Sequence, residues 1–266
     1  MATTIPDVLC HLDMLPEPER AIEAALAGGV SPILTVGSDQ ASSERALELG
    51  QRFPRHVLVA VGLHPSEIPG LDAAECRAEL AFVERTLPEA DALGEVGLDF
   101  RDAPDETQRE RQRQALQQQL EWAARQRKPV NLHCRRAERE ILAAASAFAA
   151  RTGLGVNLHW FTHSEKLARL CAEQGLFISP GPSILHSEAQ AAVARAVAPD
   201  WLLLETDSPV EYAGEAAQPL WARQVATHLA ALRGLSLEEL AVTLQANLRR
   251  YLGRPQQGDS QPAGRP

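Results

Sequence analysis

The feature that most constrains this sequence is a regular alternation of short apolar runs with longer segments of helical period. Continuous apolar runs that alternate with helical segments are typical of a parallel β-sheet covered by helices. Eight apolar runs predict strands at residues 8–11, 33–36, 57–61, 92–95, 130–133, 156–159, 176–179 and 202–205. Helices are predicted between most of them, at residues 19–27, 42–51, 74–86, 106–127, 138–150, 164–173 and 187–197.

The number of strand–helix units selects a closed barrel over an open sheet. Eight units in roughly 210 residues fit a (β/α)₈ TIM barrel, an α/β fold. Segments 218–232 and 236–252 predict two extra C-terminal helices, and Ser236 followed by Glu238 and Glu239 is typical of a helix start. We therefore expect one domain over residues 1–252. A tail at 253–266, rich in Gly, Pro and Gln, is expected to be disordered.

Composition narrows the classes of function. The formal net charge is −9, which argues against a protein that coats nucleic acid through a basic surface, although a few phosphates can still be bound locally. The chain has no apolar run of the roughly 20 residues that a membrane helix needs. It starts without the pattern of a signal peptide, and its four cysteines do not form a disulfide framework. We expect a cytoplasmic protein with no membrane partner and no obligate protein partner.

Polar side chains follow the predicted strands at the point where each strand ends. In an α/β barrel, the carboxyl ends of the strands meet at one mouth, where active sites are built. Imidazole and carboxylate groups converging there predict a site for a divalent ion such as Zn²⁺, Mn²⁺ or Mg²⁺. A single histidine after a strand is more often structural, but this explanation fits a whole set poorly. The set comprises His11, His64, Glu95, His133, His159 and Asp207.

Six short motifs in this set resemble the TatD family of metal-dependent hydrolases. They are Cys10-His11-Leu12-Asp13, Gly62-Leu63-His64-Pro65, Gly94-Glu95-Val96-Gly97-Leu98-Asp99, the segment Lys128 to Arg135, Leu158-His159-Trp160-Phe161, and Glu205-Thr206-Asp207-Ser208-Pro209. The resemblance spans residues 7 to about 252. It implies an amidohydrolase-type (β/α)₈ barrel with deoxyribonuclease activity, often as a 3′ exonuclease, supported by two divalent metal ions.

The resemblance also implies a role for each matching residue. Glu95 would bridge two metal ions, with His133 and His159 completing one site. His11 and Asp207 would hold the other ion, and Asp207 would also take a proton from the attacking water. His64 and Arg135 would contact a phosphate of the DNA substrate. Such a pair of ions can activate water and stabilise both the attacking and the leaving oxygen of a phosphodiester.

One position departs from the family pattern. The family begins with Asp-x-His-x-His, whereas this chain has Asp7-Val8-Leu9-Cys10-His11. Side chains alternate along a strand, so Leu9 and His11 should share a face, and Leu9 should point into the mouth. Leucine has no lone pair, and alternation directs Cys10 toward the helices instead. We expect the second ion to bind weakly or not at all and the activity to be lowered; a one-metal hydrolase with a different substrate is the alternative.

Other polar and aromatic residues near the mouth have two interpretations each. Arg135 shares the phase of His133 and is expected to contact phosphate, with a surface ion pair as the alternative. Trp160 and Phe161 could stack on a base or pack at the rim.

Three further polar residues are expected inside the barrel. Asn131 and Asn157 share the phase of His133 and His159 and should be hydrogen-bonded there. Glu205 shares the phase of Asp207 and is expected to orient a metal ligand or an arginine.

Three functions are compatible with these residues. The leading hypothesis is a metal-dependent phosphodiesterase acting on single-stranded DNA or short DNA ends with one or two divalent ions. The same barrel and ligands also support an amidohydrolase-type enzyme that cleaves a small-molecule ester or amide. A catalytically impaired nucleic-acid-binding protein is the third, although the presence of Glu95, His133, His159 and Asp207 argues against it.

Overall fold

A computed structural model of the chain describes residues 3–160 and 164–253. Seven parallel strands pair in sequence order into a nearly closed barrel. They are β1 (Ile5–Cys10), β2 (Val30–Val36), β3 (Val57–Val61), β4 (Ala92–Asp99), β5 (Val130–Arg135), β6 (Val156–His159) and β7 (Phe177–Ser179). Each of the first seven predicted runs is confirmed as a strand, and several strands extend beyond the predicted bounds.

Helices connect the strands as the alternation predicts. They are α1 (Pro18–Ala27), α2 (Gln40–Arg52), α3 (Ala73–Thr86), α4 (Glu106–Gln126), α5 (Glu138–Thr152), α6 (Glu165–Glu173), α7 (Glu188–Ala196), α8 (Trp221–Arg233) and α9 (Leu237–Tyr251). Ser236 caps α9 by accepting a hydrogen bond from the backbone N–H of Glu239, as its sequence indicates. No helix within the described residues is long and apolar enough to cross a membrane.

The prediction of an eighth strand at residues 202–205 has to be corrected. The segment forms a single parallel bridge, between Leu202 and Ile178, and no regular strand. It nevertheless lies between β7 and β1, because Leu203 N–H donates to Ile178 O at 2.9 Å and Val8 N–H donates to Leu204 O at 3.0 Å. The barrel is therefore closed by an irregular segment. The predicted tail lies outside the described residues, apart from Gly253.

Inward-facing and outward-facing strand residues form two separate apolar clusters. The outward residues pack with the helices into the larger cluster, and Cys10 belongs to it. The smaller cluster fills the barrel and includes Leu9; its other buried members are Val8, Leu34, Val36, Leu58, Ala60, Ala92, Phe177 and Leu203, with Leu248 and Tyr251 of α9. Leu9 and Cys10 therefore lie in different clusters, as predicted, although Val8 shares the cluster of Leu9 because β1 is irregular between Asp7 and Cys10.

The barrel interior is also polar, as expected for Asn131 and Asn157. Asn131 Nδ2 donates to Val8 O at 3.0 Å, and Asn157 Nδ2 donates to Asn131 Oδ1 at 2.8 Å and to Ser179 Oγ at 2.7 Å. These bonds link β1, β5, β6 and β7 across the interior. Because each partner satisfies another buried polar group, they hold the strand ends in a fixed relation.

Candidate metal centre

A register irregularity in β4 directs Glu95 into the barrel. Leu93 pairs with Val130, whereas Val96 pairs with Leu132, so three residues of β4 advance against two of β5. Such a bulge re-aims a side chain, and bulges are frequent beside active sites. Simple alternation from Ala92, which faces inward, would have placed Glu95 on the outer face; the bulge turns its carboxylate to the inside.

Glycine at position 97 allows β4 and β5 to approach closely beside this carboxylate. Gly97 is paired with His133, and a Cβ atom at Gly97 would lie 2.1 Å from the carbonyl oxygen of His133. Any side chain would push the strands apart at the point where His133 faces Glu95. The glycine therefore contributes to the position of the imidazole.

Three imidazoles surround one oxygen of the buried Glu95 carboxylate. The distances to Oε1 are 2.7 Å from His133 Nδ1, 3.2 Å from His159 Nε2 and 3.3 Å from His64 Nε2. Glu95 Oε2 faces His11, whose Nε2 is 3.4 Å away. His11 Nε2 also lies 3.6 Å from Asp207 Oδ1. The structure thus brings together every histidine and acid that the sequence placed at the mouth.

Two further carboxylates lie within hydrogen-bonding distance of two of these imidazoles and orient their rings. His133 Nε2 lies 3.0 Å from Asp99 Oδ2, and His159 Nδ1 lies 2.8 Å from Glu205 Oε1. Glu205 is itself fixed, because Ser179 Oγ donates to its Oε2 at 2.5 Å. Carboxylates in such positions set the ring orientation and raise the basicity of metal-binding histidines.

Asp207 is held in place by β1. Its backbone N–H donates to Leu9 O at 3.0 Å, and its backbone is left-handed with φ 52°. The preceding residue is anchored too, because Thr206 donates to the buried Asp7 carboxylate through its backbone N–H at 2.9 Å and through Oγ1 at 2.6 Å. A non-glycine residue with positive φ persists only where its surroundings fix it, and such residues cluster at functional sites.

The two central carboxylates differ in protonation. Burial raises the pKa of Asp207 to about 7, in spite of the nearby His159 and His11. Burial acts in the same direction on Glu95, but the charges of His159 and His64 and hydrogen bonds from His11 and His133 hold the pKa of Glu95 well below its usual range. Glu95 is therefore an anion, whereas Asp207 titrates near neutrality.

The pKa values of the four histidines are shifted in two directions, upward for three of them and downward for one. Burial lowers the pKa of His159, but Glu205 and Glu95 outweigh this and raise it well above the usual value. The pKa values of His11 and His133 are raised in the same way, mainly by Glu95 for His11 and by Asp99 and Glu95 for His133. Burial is the largest influence at His64 and lowers its pKa below the usual value, in spite of the neighbouring Glu95.

The donor set fits a divalent cation. Imidazole nitrogens and carboxylate oxygens are the ligands of Zn²⁺, and carboxylates also suit Mg²⁺ and Mn²⁺. His11 directs its Nε2 at both Glu95 Oε2 and Asp207 Oδ1, so one imidazole nitrogen and two carboxylate oxygens face one another there. The concentration of buried ionisable groups around Glu95 is consistent with a cation that compensates their charge.

The centre opens into a cleft of about 420 Å³. Arg135 and Trp160 line it, together with the ligand candidates. The Arg135 side chain is 47% exposed and its Nη1 lies 4.0 Å from Asp99 Oδ2, so the guanidinium group is loosely tethered at the rim. Phe161 lies outside the described residues. Trp160 packs against Tyr212, with ring centroids 5.8 Å apart.

The chain is similar to known proteins over nearly its whole length. The model of the family described as TatD related DNase matches residues 6–253. The 3′-5′ ssDNA/RNA exonuclease TatD of Erwinia tasmaniensis is 32% identical over 248 residues, which cover 87% of this chain and 92% of that protein. The human deoxyribonuclease TATDN3 is 30% identical over 261 residues, which cover 92% of this chain and 93% of that protein. The chain belongs to the TatD family.

The fold of a solved TatD homologue agrees with this assignment. The crystal structure of YJJV from Escherichia coli K12 superposes with a TM-score of 0.83 and 28% identity, covering 96% of this chain and all of that one. Together, the family match and the relatives identify the chain as a metal-dependent hydrolase with a TIM barrel.

Within this TatD barrel, sequence reasoning missed three residues. Asp99 lies two residues beyond Gly97 on the same face of β4, so period-two alternation could have identified it. Ser66 and Tyr212 had no such signal. Ser66 Oγ lies 2.7 Å from His64 Nδ1, and Tyr212 belongs to a short antiparallel hairpin, β8 (Glu211–Tyr212) and β9 (Glu215–Ala216), that alternation does not predict.

Proposed function

We propose that this protein is a metal-dependent deoxyribonuclease that removes nucleotides from the 3′ end of single-stranded or short DNA. The observation that carries the proposal is the convergence of imidazoles and carboxylates on Glu95 at the base of a cleft. The relatives support it, because the Erwinia protein is named as a 3′-5′ ssDNA/RNA exonuclease and the human protein as a deoxyribonuclease.

The candidate metal ligands lie on two sides of Glu95, one for each oxygen of its carboxylate. On the Oε1 side, His133 and His159 would hold one ion; on the Oε2 side, His11 and Asp207 would hold a second. When bound, divalent ions lower the pKa of water and neutralise charge on the phosphodiester. Asp207 would also accept the proton of the attacking water from this position.

Because of Leu9, the site on the Oε2 side of Glu95 lacks a ligand that the site in the family has. Leu9 is fully buried in the apolar interior cluster, directly beside the backbone that holds Asp207. Its apolar side chain supplies no ligand to the His11 side, where the family has a histidine. We expect the ion on the His133 side to bind more tightly and the second ion to limit the rate.

The net charge of the chain and the size of the cleft favour strand ends as substrate. A chain with a net charge of −9 repels a long phosphate backbone, whereas a cleft of about 420 Å³ accommodates one or two nucleotides. Arg135 at the rim can bind a phosphate in bidentate fashion, and Trp160 offers an aromatic face for a base.

The proposal is tested with one oligonucleotide labelled at either end. The protein is freed of metal by a chelator and then given Mg²⁺, Mn²⁺ or Zn²⁺, with Asp207→Asn as the impaired control. A ladder of 5′-labelled products and early release of a 3′ label are expected. Hydrolysis of esters or lactones without DNA cleavage would instead show a small-molecule hydrolase. DNA binding without turnover of any substrate would show a binding protein, and either result overturns the proposal.

A further inference from the structure

Exposed arginines lie on two adjoining segments at one side of the barrel mouth. They are Arg101, Arg135, Arg136 and Arg139, and we call them the arginine surface. Arg101 follows β4, and the other three lie where β5 ends and α5 begins. The two segments run side by side, because Asp99 is in register with Arg135, whose carbonyl oxygen accepts a hydrogen bond of 2.8 Å from the next backbone N–H of β4. The ends of β4 and β5 thus gather these guanidinium groups on one part of the mouth.

The carboxylate of Asp99 links both segments to the metal centre. Its Oδ1 accepts a hydrogen bond of 3.0 Å from the backbone N–H of Arg101. Its Oδ2 lies 3.0 Å from His133 Nε2 and 4.0 Å from Arg135 Nη1. The arginine surface therefore begins one side chain away from an imidazole that contacts Glu95, and Arg135 also lines the cleft.

The charge of the arginine surface is not neutralised by neighbouring acids. Within residues 3–160 and 164–253, Arg101, Arg136 and Arg139 form no ion pair with a carboxylate. Arg135 has only the 4.0 Å contact with Asp99. Guanidinium groups without an ion-pair partner remain available to an anion, and their planar fork suits a phosphate group.

The backbone at Arg136 keeps its side chain at the surface. Arg136 has a left-handed backbone with φ 58°, and the next residue, Ala137, is buried. A sharp turn at this position therefore buries the start of α5 while the guanidinium group stays exposed. Residues other than glycine adopt this conformation at a cost in free energy, and they are frequent at functional sites.

The β8–β9 hairpin at the mouth carries the opposite charge. Its residues Glu211 and Glu215 are exposed, whereas Tyr212 is buried and packs against Trp160, which lines the cleft. A single nucleic acid strand carries its phosphates along one edge and its bases along the other. The division of charge and aromatic groups favours a strand whose phosphates face the arginine surface and whose bases face Trp160.

We propose that the arginine surface binds the sugar–phosphate backbone of a single DNA strand where the strand leaves the cleft. The inference rests on the proposed deoxyribonuclease function and adds the path of the strand beyond the nucleotides inside the cleft. With the 3′ end in the cleft, the bound phosphates belong to the 5′ side of the cleaved bond. The arginine surface then supplies affinity for a strand that a chain with a net charge of −9 would otherwise repel.

The salt dependence of strand binding tests this path. The protein in excess Mn²⁺ is mixed with a fluorescent oligothymidylate of about 12 nucleotides or with a dinucleotide, both with phosphorothioate linkages that resist cleavage. Anisotropy then gives the affinity at a series of salt concentrations. For a single strand, each arginine that contacts a phosphate contributes about 0.7 to the slope of log affinity against log salt.

The triple variant Arg101→Gln/Arg136→Gln/Arg139→Gln should reduce this slope by about 2. Its affinity for the longer strand at low salt should fall by about 10-fold or more, and its affinity for the dinucleotide by much less. The double variant Arg101→Gln/Arg139→Gln leaves the left-handed residue unchanged, so it tests the path even if the triple variant does not fold. It should reduce the slope by about 1.4.

Arg249→Gln is the matched control for these variants. Arg249 is exposed near the end of α9, and the carbonyl oxygen of Tyr251 in the same turn lies beside Gly155, which precedes β6. Arg249 is therefore at the end of the barrel opposite the mouth, and its replacement should leave both the slope and the affinity for the longer strand unchanged.

The outcomes separate the path of the strand from the proposed function. If the double and triple variants bind the longer strand with the slope and affinity of the unmodified protein, the arginine surface does not contact DNA and the proposal is wrong. Equal affinity of the unmodified protein for the longer strand and the dinucleotide would overturn it as well. If the strand binds through the arginines but no metal ion supports cleavage of an ordinary oligonucleotide, the proposed function fails and the arginine surface stands.

Discussion

Replacement of Leu9 by histidine should couple the stability of the barrel to metal. Leu9 is fully buried in the interior cluster, so its removal loses about 2 kcal/mol of apolar burial. An imidazole buried there without a partner costs about 1 kcal/mol more. The metal-free Leu9→His variant should therefore be less stable by about 3 kcal/mol, which lowers Tm by roughly 6–12 °C for a domain of this size.

Metal should recover most of this loss. An ion at 100 times its Kd stabilises the folded state by about 2.7 kcal/mol, so a second ion bound by His11, Asp207 and the new imidazole nearly cancels the destabilisation. The assay is thermal denaturation by circular dichroism in chelator and in excess Mn²⁺, with the bound ions counted by mass spectrometry. Leu9→Met conserves volume without adding an imidazole and is the control. An equal metal-induced shift of Tm in Leu9→His and the unmodified protein would refute the reasoning.

Three further predictions follow from the site. Neighbouring carboxylates outweigh burial and raise the pKa of His159, so metal binding must displace protons. Calorimetry in buffers of different ionisation enthalpy should show this proton release, and the affinity for the metal should rise with pH. Gly97→Ala places a Cβ against the carbonyl of His133, and urea denaturation should show a loss of several kcal/mol, roughly 2–4, together with weaker metal binding. Thr206→Val removes a hydrogen bond to buried Asp7 and should cost about 2 kcal/mol in the same assay, whereas Thr206→Ser should retain most of the stability.

Periodicity was sufficient to predict most of the architecture. Helix α4 begins at Glu106 as predicted and ends one residue earlier, because a strong helical period free of Gly and Pro leaves few alternatives. The prediction of a strand at residues 202–205 is wrong. The apolar composition of this segment reflects burial between β7 and β1, but composition carries no information on whether the backbone forms regular pairs.

The candidate site was predictable where it depended on strand ends, and less so where it depended on local backbone geometry. His133 and His159 follow from strand phase alone. Glu95 reaches the interior only through a bulge, which leaves no mark in the apolar pattern. Asp99 shares the phase of Glu95 in β4, whereas the contact of Ser66 with His64 depends on the distance between specific atoms, which three-dimensional packing determines.

The central claim is that Glu95 holds the metal that supports phosphodiester hydrolysis. The most direct measurement is the rate at which metal-free protein, titrated with Mg²⁺, Mn²⁺ or Zn²⁺, cleaves a labelled single strand, compared with Glu95→Gln under the same conditions. We predict no cleavage without metal, cleavage restored by at least one ion, and loss of both metal binding and cleavage in Glu95→Gln. Cleavage by Glu95→Gln at the rate of the unmodified protein would contradict the account.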